Sequence, residues 1–364
     1  MVRKIVSIAP ARTCLFGDHQ DYLGLPIIAC AINRHITLTA IENNFGYFEL
    51  NMPDIQQKRI ISVQESLENI DKNDHFLSAL KVLKRYNCIA NRGFTIEIKG
   101  TIPINSGTSS SSALVVAWVQ FLIKAFGDDD LLKPETISQI AYQAEVVEHN
   151  APGGKMDQFS IGLGNIIYLE TGENFSYKVV EKSFKGLIMA ESGVPKDTVG
   201  LLSRLKTNAW KAINEVKKHI PDFEIQYCDF DQKNHYLSFV NDELKPYLRA
   251  AIGNYEVTKK ALKEFEKKNL DIKEVGDLMN EHHHYLKNDL EITVPKIDIM
   301  IDAALKAGAY GAKIVGSGGG GSIAVLCDEK IQDTIIDSLK TAGAVNVYPV
   351  VIERGAYIKE TNYA

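Results

Sequence analysis

Residues 103–126 read PINSGTSSSSALVVAWVQFLIKAF and run into Gly127-Asp128-Asp129-Asp130. From Ala113 to Phe126 the segment is almost continuously apolar, which predicts a buried helix that the glycine and the acids terminate. The residues before it, Gly107 to Ser112, are small and mostly hydroxyl-bearing. At a helix N-terminus they surround unpaired backbone N–H groups and the positive end of the helix dipole, a setting that accepts an anion. Two readings stand. The serines form an N-cap feeding a core helix, or the loop cradles phosphate, with one hydroxyl able to reach a phosphate-bound Mg²⁺. No lysine follows Gly107, so this is not a Walker loop.

Working outward from the loop, Phe94, Ile96 and Ile98 alternate with polar residues and predict the strand that leads into it. Phe76, Leu77, Leu80, Val82 and Leu83 predict a helix before that strand. HITLTAI and YFELNM, on either side of Glu42-Asn43-Asn44-Phe45-Gly46, read as two antiparallel strands around a turn. Downstream, a helix starts near Pro134 and runs through Ile137, Ile140, Ala141, Ala144 and Val147, with Glu145 and Glu148 beside the apolar stripe. Asn150 to Gly154 breaks it. GNIIYLE and GLIMAES read as strands, 198–268 as helical, and 275–285 and 295–307 as helices. A strand, a glycine loop, a strand, a helix and a strand complete the pattern. Helices and antiparallel strands in two packed domains make this an α+β chain, divided near residue 185 into 1–185 and 186–364.

Composition narrows the function classes. The chain has 364 residues, with 41 basic against 46 acidic side chains and a net charge of −5, so nothing draws it as a whole to nucleic acid or anionic lipid. No window approaches a membrane-spanning apolar run, and MVRKIVSIAPARTC lacks the long apolar stretch of a signal peptide. A cytoplasmic protein acting on a small molecule, as a monomer or homodimer, is the expectation. Cys14, Cys30, Cys88, Cys228 and Cys327 are scattered and predict reduced thiols, mostly core filler.

Three further segments carry chemistry. Residues 7–32, SIAPARTCLFGDHQDYLGLPIIACAI, set Arg12 before the polar run Asp18, His19, Gln20, Asp21 and Tyr22. The run suits a grip on a polyol, or it is an exposed turn salt-bridged by Arg12. In NAPGGKMDQFSIGLGN, residues 150–165, Asp157 follows a Pro-Gly-Gly turn and can accept a proton from a substrate hydroxyl or cap a helix. GAKIVGSGGGGSIAVL, residues 311–326, reads as strand, glycine loop, strand. Four consecutive glycines point to close backbone approach by a ligand or another loop, with a flexible hairpin tip as the alternative. His282, His283 and His284 lack metal-ligand spacing and predict a solvated helix face.

Taken in order, APARTCLFGDHQDYLG, PINSGTSSSSA, GGKMDQ and KIVGSGGGGS resemble the GHMP kinases, and among them the galactokinase branch. The resemblance runs from about Ser7 to Cys327. It implies an N-terminal domain like domain 2 of ribosomal protein S5 and a ferredoxin-like C-terminal domain. It further implies an ATP- and Mg²⁺-dependent kinase that phosphorylates the anomeric hydroxyl of galactose or a related sugar. Carried over residue by residue, Gly107, Thr108, Ser109, Ser110, Ser111 and Ser112 would hold the ATP phosphates, and Ser111 with Glu145 the Mg²⁺, Glu148 being the fallback. Asp157 would be the catalytic base, with Arg12 orienting it and stabilising transferred charge. Asp18, His19, Asp21 and Gly154 would contact the sugar. Gly318 and Gly319 would bind ATP within a third motif that supports the phosphate loop. The chain departs from the galactokinase pattern at Asp18, where that branch has glutamate, and at Gln20, where it has threonine. Asn105 and Ser106 replace Gly-Ala, and Thr108 replaces leucine. These departures open other acceptors: a uronic acid, arabinose, fucose, a heptose phosphate or mevalonate. A non-catalytic sugar sensor on the same scaffold is the reading from a different class.

Overall fold

The computed structural model describes residues 3–103, 107–195 and 198–362, so the departures at Asn105 and Ser106 lie outside the described residues. The first part of the chain supplies β1 (Arg3–Phe16), β2 (Ile27–Asn43), β3 (Tyr47–Met52), β4 (Gln57–Ser62), α1 (His75–Lys84), β5 (Gly93–Gly100), α2 (Ser110–Phe126), α3 (Pro134–Tyr142), α4 (Met156–Leu163), β6 (Ile166–Glu170) and β7 (Ser176–Val180). The rest supplies β8 (Leu187–Glu191), α5 (Thr198–Lys217), α6 (Lys233–Leu237), α7 (Lys245–Glu266), α8 (Ile272–Asn288), α9 (Pro295–Lys306), β9 (Gly311–Ile314), β10 (Ser322–Leu326), α10 (Gln332–Thr341), β11 (Asn346–Val350) and β12 (Tyr357–Asn362).

Two sheets result. The larger has the order β12-β1-β2-β5-β3-β4, with β6 pairing β2 and β7 pairing β6. The smaller, β11-β8-β10-β9, is antiparallel throughout. Its strand order, with helices between its first and second and its third and fourth strands, is the ferredoxin-like arrangement. Helix α2 is the main apolar body against the larger sheet: twelve of its side chains are buried, from Ser112 to Ala125, which is what an all-round apolar sequence requires. Edge-to-face ring pairs lock it there, Phe94 with Phe121 at 5.2 Å and Phe48 with Trp118 at 5.3 Å. Each such fully buried side chain contributes roughly 1.5–3 kcal/mol of burial free energy.

Two expectations are corrected. β2 and β3 are strands, but they do not pair with each other: β5 lies between them, antiparallel to β2 and parallel to β3. Phe94 and Ile96 of β5 are fully buried, and inserting β5 there brings them against α2, a gain that outweighs the local turn. The histidine run is not a solvated face either, since His282 and His283 are buried and His284 alone is exposed. Val275, Met279 and Leu286 form the buried stripe of α8, and position 282 recurs on that stripe at helical spacing. The His282 ring stacks 6.1 Å from Phe16. Strands β4, β7 and β12 were not predicted: their short sequences mix polar and apolar residues without a clear period, and all three lie at sheet edges.

Candidate active site

The predicted residues converge on a cleft of about 420 Å³. Arg12 reaches it from β1, where the register against β2 slips between Pro10 and Ala11 and again between Cys14 and Phe16. Such bulges re-aim a strand's side chains, and Arg12 lies on the segment between them. Its Nε donates to Asp157 Oδ1 at 2.8 Å and its Nη2 lies 2.8 Å from the same oxygen, while Nη1 donates to the Gly107 carbonyl. Asp157 sits in the first turn of α4 and does not cap it. Its other oxygen, Oδ2, accepts from Ser109 Oγ at 2.6 Å. The serine loop and the predicted base are therefore joined directly.

Glu145 lies on a π-helical turn, Gln143–Val147, that interrupts the end of the predicted helix; turns of this kind displace a side chain from α-helical register. Its Oε1 accepts from Ser111 Oγ at 3.1 Å and Ser112 Oγ at 3.0 Å, and its Oε2 from Gln158 Nε2 at 2.7 Å. Burial, with Asp157 nearby, raises the Glu145 carboxyl above its ordinary value. Glu148 is elsewhere, paired with Lys81 and Arg85 and absent from the cleft wall. Among the described residues no group of three or more His, Cys, Asp or Glu could hold a metal. One carboxylate beside hydroxyls still fits Mg²⁺, which takes few protein ligands and completes its shell with phosphates and water.

On the other side of Asp157 stand Asp21, His19 and Gly154. A Cβ at Gly154 would lie 2.1 Å from Asp21 Oδ2, so only glycine lets that carboxylate approach. Burial, reinforced by Asp157, pushes the Asp21 carboxyl up to about 6. His19 Nδ1 lies 3.2 Å from the Tyr22 hydroxyl. Asp18 lines the cleft but is 1% exposed, and both its oxygens are engaged: Oδ2 by Lys313 Nζ at 2.6 Å, Oδ1 by Gly316 N–H at 2.9 Å. Burial opposes its charge, yet Lys313 and the two hydrogen bonds outweigh that and bring the carboxyl down to about 2. Gln20 is turned inward, its Nε2 donating to the Pro26 carbonyl.

The sequence pattern and the structure part at three positions. Thr108 is buried behind the loop, its carbonyl accepting from Arg12 N–H at 3.3 Å. Gly318 and Gly319 do not reach the cleft; Gly319 N–H donates to the Ile292 carbonyl at 2.7 Å, and Gly316 and Ser317 line the cleft instead. The glycines serve backbone-to-backbone packing: Gly321 N–H donates to the Val194 carbonyl at 3.0 Å, and a Cβ at Gly320 would meet that same oxygen at 2.5 Å. Lys313 and Gln158 were not singled out in the sequence, though both fall inside the quoted motifs. A lone lysine in an otherwise apolar strand, among Ala312, Ile314 and Val315, was the available signal for the first. Asn73 and His75, at the start of α1, line the far end of the cleft and gave no signal.

An arginine-held carboxylate wired to a hydroxyl-rich helix N-terminus defines a class of site suited to anions and hydroxyl acceptors. Family models describe the same segments: the GHMP kinases N terminal domain matches residues 74–165, GHMP kinases C terminal matches 259–345, and the galactokinase galactose-binding signature matches 2–41. The chain belongs to the GHMP kinases, a family that uses ATP as phosphoryl donor. A mevalonate kinase of Thermococcus sibiricus is 25% identical over 98% of this chain and 99% of its own length, and a galactokinase of Fusobacterium nucleatum is 27% identical over 91% and 87%. Lactococcus lactis galactokinase, solved with galactose, superposes with a TM-score of 0.84 at 22% identity, covering 97% of this chain and 95% of that one. Among the described residues, no helix is long and apolar enough to cross a membrane.

Proposed function

We propose that this kinase transfers the γ-phosphoryl group of ATP to the anomeric hydroxyl of galactose or a related neutral sugar, with Mg²⁺, within a chain divided into domains 1–185 and 186–364. The observation that carries the reading is the Asp157 carboxylate, held through Oδ1 by Arg12 and through Oδ2 by Ser109 at the mouth of the serine loop. In this reading the acceptor oxygen forms the new bond to phosphorus, its proton passes to Asp157, and the bond to the β-bridging oxygen breaks to release ADP. Ser111 and Glu145 would hold the Mg²⁺, which neutralises phosphate charge. Loop N–H groups and Arg12 stabilise charge on the transferred group, the main demand of such a reaction.

Charge at the acceptor end supports a neutral polyol. Asp21 and Asp157 face the cleft, while Arg12 is the single Arg or Lys among the described residues of the cleft wall and is already paired. An acceptor bearing a carboxylate or phosphate would meet like charge. A second reading, an acceptor other than galactose, rests on Asp18: the carboxylate where the galactokinase pattern has glutamate is bound to Lys313 and Gly316. One experiment tests both readings: ADP release with Mg·ATP across free hexoses, pentoses, uronic acids, a heptose phosphate and mevalonate, repeated with Asp157→Ala. Turnover with galactose, falling on the order of 10³-fold in the variant, supports the first reading. A different preferred sugar supports the second. Full turnover by Asp157→Ala removes the mechanism, and binding of sugar and ATP without ADP release makes the protein a sensor.

A further inference from the structure

Ser109 is the residue on which the serine loop turns. It precedes α2 at φ +61°, a left-handed conformation that side-chain-bearing residues rarely adopt. A loop needing that backbone shape alone is best served by glycine, which enters the region without steric penalty. What serine adds is its hydroxyl, and that hydroxyl does not turn back to cap the helix; it donates to Asp157 Oδ2 at 2.6 Å.

We infer that Ser109 is a positioning residue for the Asp157 carboxylate, rather than a phosphate ligand, and that it couples the angle of that carboxylate to the shape of the phosphate loop. The inference rests on the proposed role of Asp157 as base. Arg12 holds Oδ1, on one side of the carboxylate. The Ser109 bond fixes the second oxygen, so the plane of the carboxylate is set from both sides. The Ser109 bond does not by itself exclude the incoming hydroxyl from Oδ2, since a carboxylate oxygen accepts more than one hydrogen bond. Arg12 also donates to the Gly107 carbonyl. The loop thus holds the carboxylate twice, once through arginine and once through serine, and a loop shaped by bound phosphates presents Asp157 in its working orientation. Misplacing a reacting group by a fraction of an ångström lowers turnover without weakening substrate binding.

The test compares Ser109→Ala and Ser109→Gly in the full chain, with Mg·ATP and whichever member of the acceptor panel turns over fastest, and follows kcat, both KM values and thermal stability. Both variants are expected to lose about tenfold in kcat with KM for ATP and acceptor within about twofold of the parent. Their melting temperatures should separate, because Ala retains the unfavourable positive φ and Gly relieves it. A shared kcat loss with divergent stability assigns the effect to the hydroxyl and not to the backbone. Unchanged kcat in either variant overturns the inference, as does a loss confined to KM for ATP, which would make Ser109 a phosphate contact. Asp157→Ala measured beside them tells the two levels apart: an inactive Asp157→Ala with unaffected Ser109 variants sinks this inference alone, whereas an active Asp157→Ala, or no turnover with any acceptor, sinks the base reading beneath it.

Discussion

The cleft contains two carboxylate–cation pairs built from the same N-terminal segment, and they differ in almost everything except chemistry. Arg12–Asp157 opens to the cleft, with the Asp157 side chain 29% exposed; Lys313–Asp18 is sealed, at 0% and 1%. In the open pair one carboxylate oxygen accepts from the Ser109 hydroxyl at the cleft. In the sealed pair both oxygens are spoken for, and the partners come from β9 and from the start of the glycine loop, in the other sheet. The contrast teaches that a charged residue within a functional motif is not thereby a ligand. Burial decides whether its charge meets substrate or assembles the wall against which substrate sits.

Breaking the sealed pair should give the largest effect on stability. Lys313→Met leaves Asp18 buried beside Cys14 and His282 without its cation, and a cost of about 3–5 kcal/mol is expected in urea unfolding. A Lys313→Met protein as stable as the parent would abolish the distinction between the pairs. The next test removes the other tie of the same loop. Gly320→Ala places a Cβ 2.5 Å from the Val194 carbonyl oxygen at φ +136°, a clash expected to cost about 3 kcal/mol.

The smallest effect sharpens the comparison through a third carboxylate, Asp21, which forms no ion pair among the described residues. Its folded-state carboxyl lies at about 6, above the unfolded value near 3.9, so the folded state binds the proton more tightly. The stabilisation from that proton is complete below about pH 4 and is lost as pH rises through 6. Asp21→Asn should therefore be more stable than the parent at pH 7 by roughly 2 kcal/mol, with the gap closing as pH falls to 4. Chemical unfolding at the two pH values measures it, and a gap independent of pH would mean that Asp21 is solvated.

Much of this was legible in the sequence, for reasons that particular residues make plain. α2 was readable because twelve buried positions leave no polar face to confuse the pattern, and the four motifs were readable because each is a short run of distinctive residue types. What was not legible depends on partners distant in the chain. The insertion of β5 between β2 and β3 follows from its packing against α2, which no local turn encodes. The burial of His282 follows from its stacking on the ring of Phe16, distant in the chain. Lys313 read as one polar residue in a strand until Asp18, 295 residues away in sequence, gave it a partner. The glycine loop was read correctly as a place of close approach, but the approaching groups are the carbonyls of Val194 and Ile292.

The pairing of β12 with β1, from Arg3 opposite Asn362 to Ile8 opposite Tyr357, has a consequence for how the protein is made. Synthesis delivers β1 before the whole of the smaller sheet and β12 after it, so the strand that carries Arg12 waits for its outer neighbour while all of β8 to β11 is made. The larger sheet cannot finish as an early, self-contained unit while the smaller one is still emerging. Long-range closure of this kind slows folding and prolongs the exposure of an unpaired edge, and a nascent chain stalled before β12 would present the edge of β1 to whatever strand it meets first.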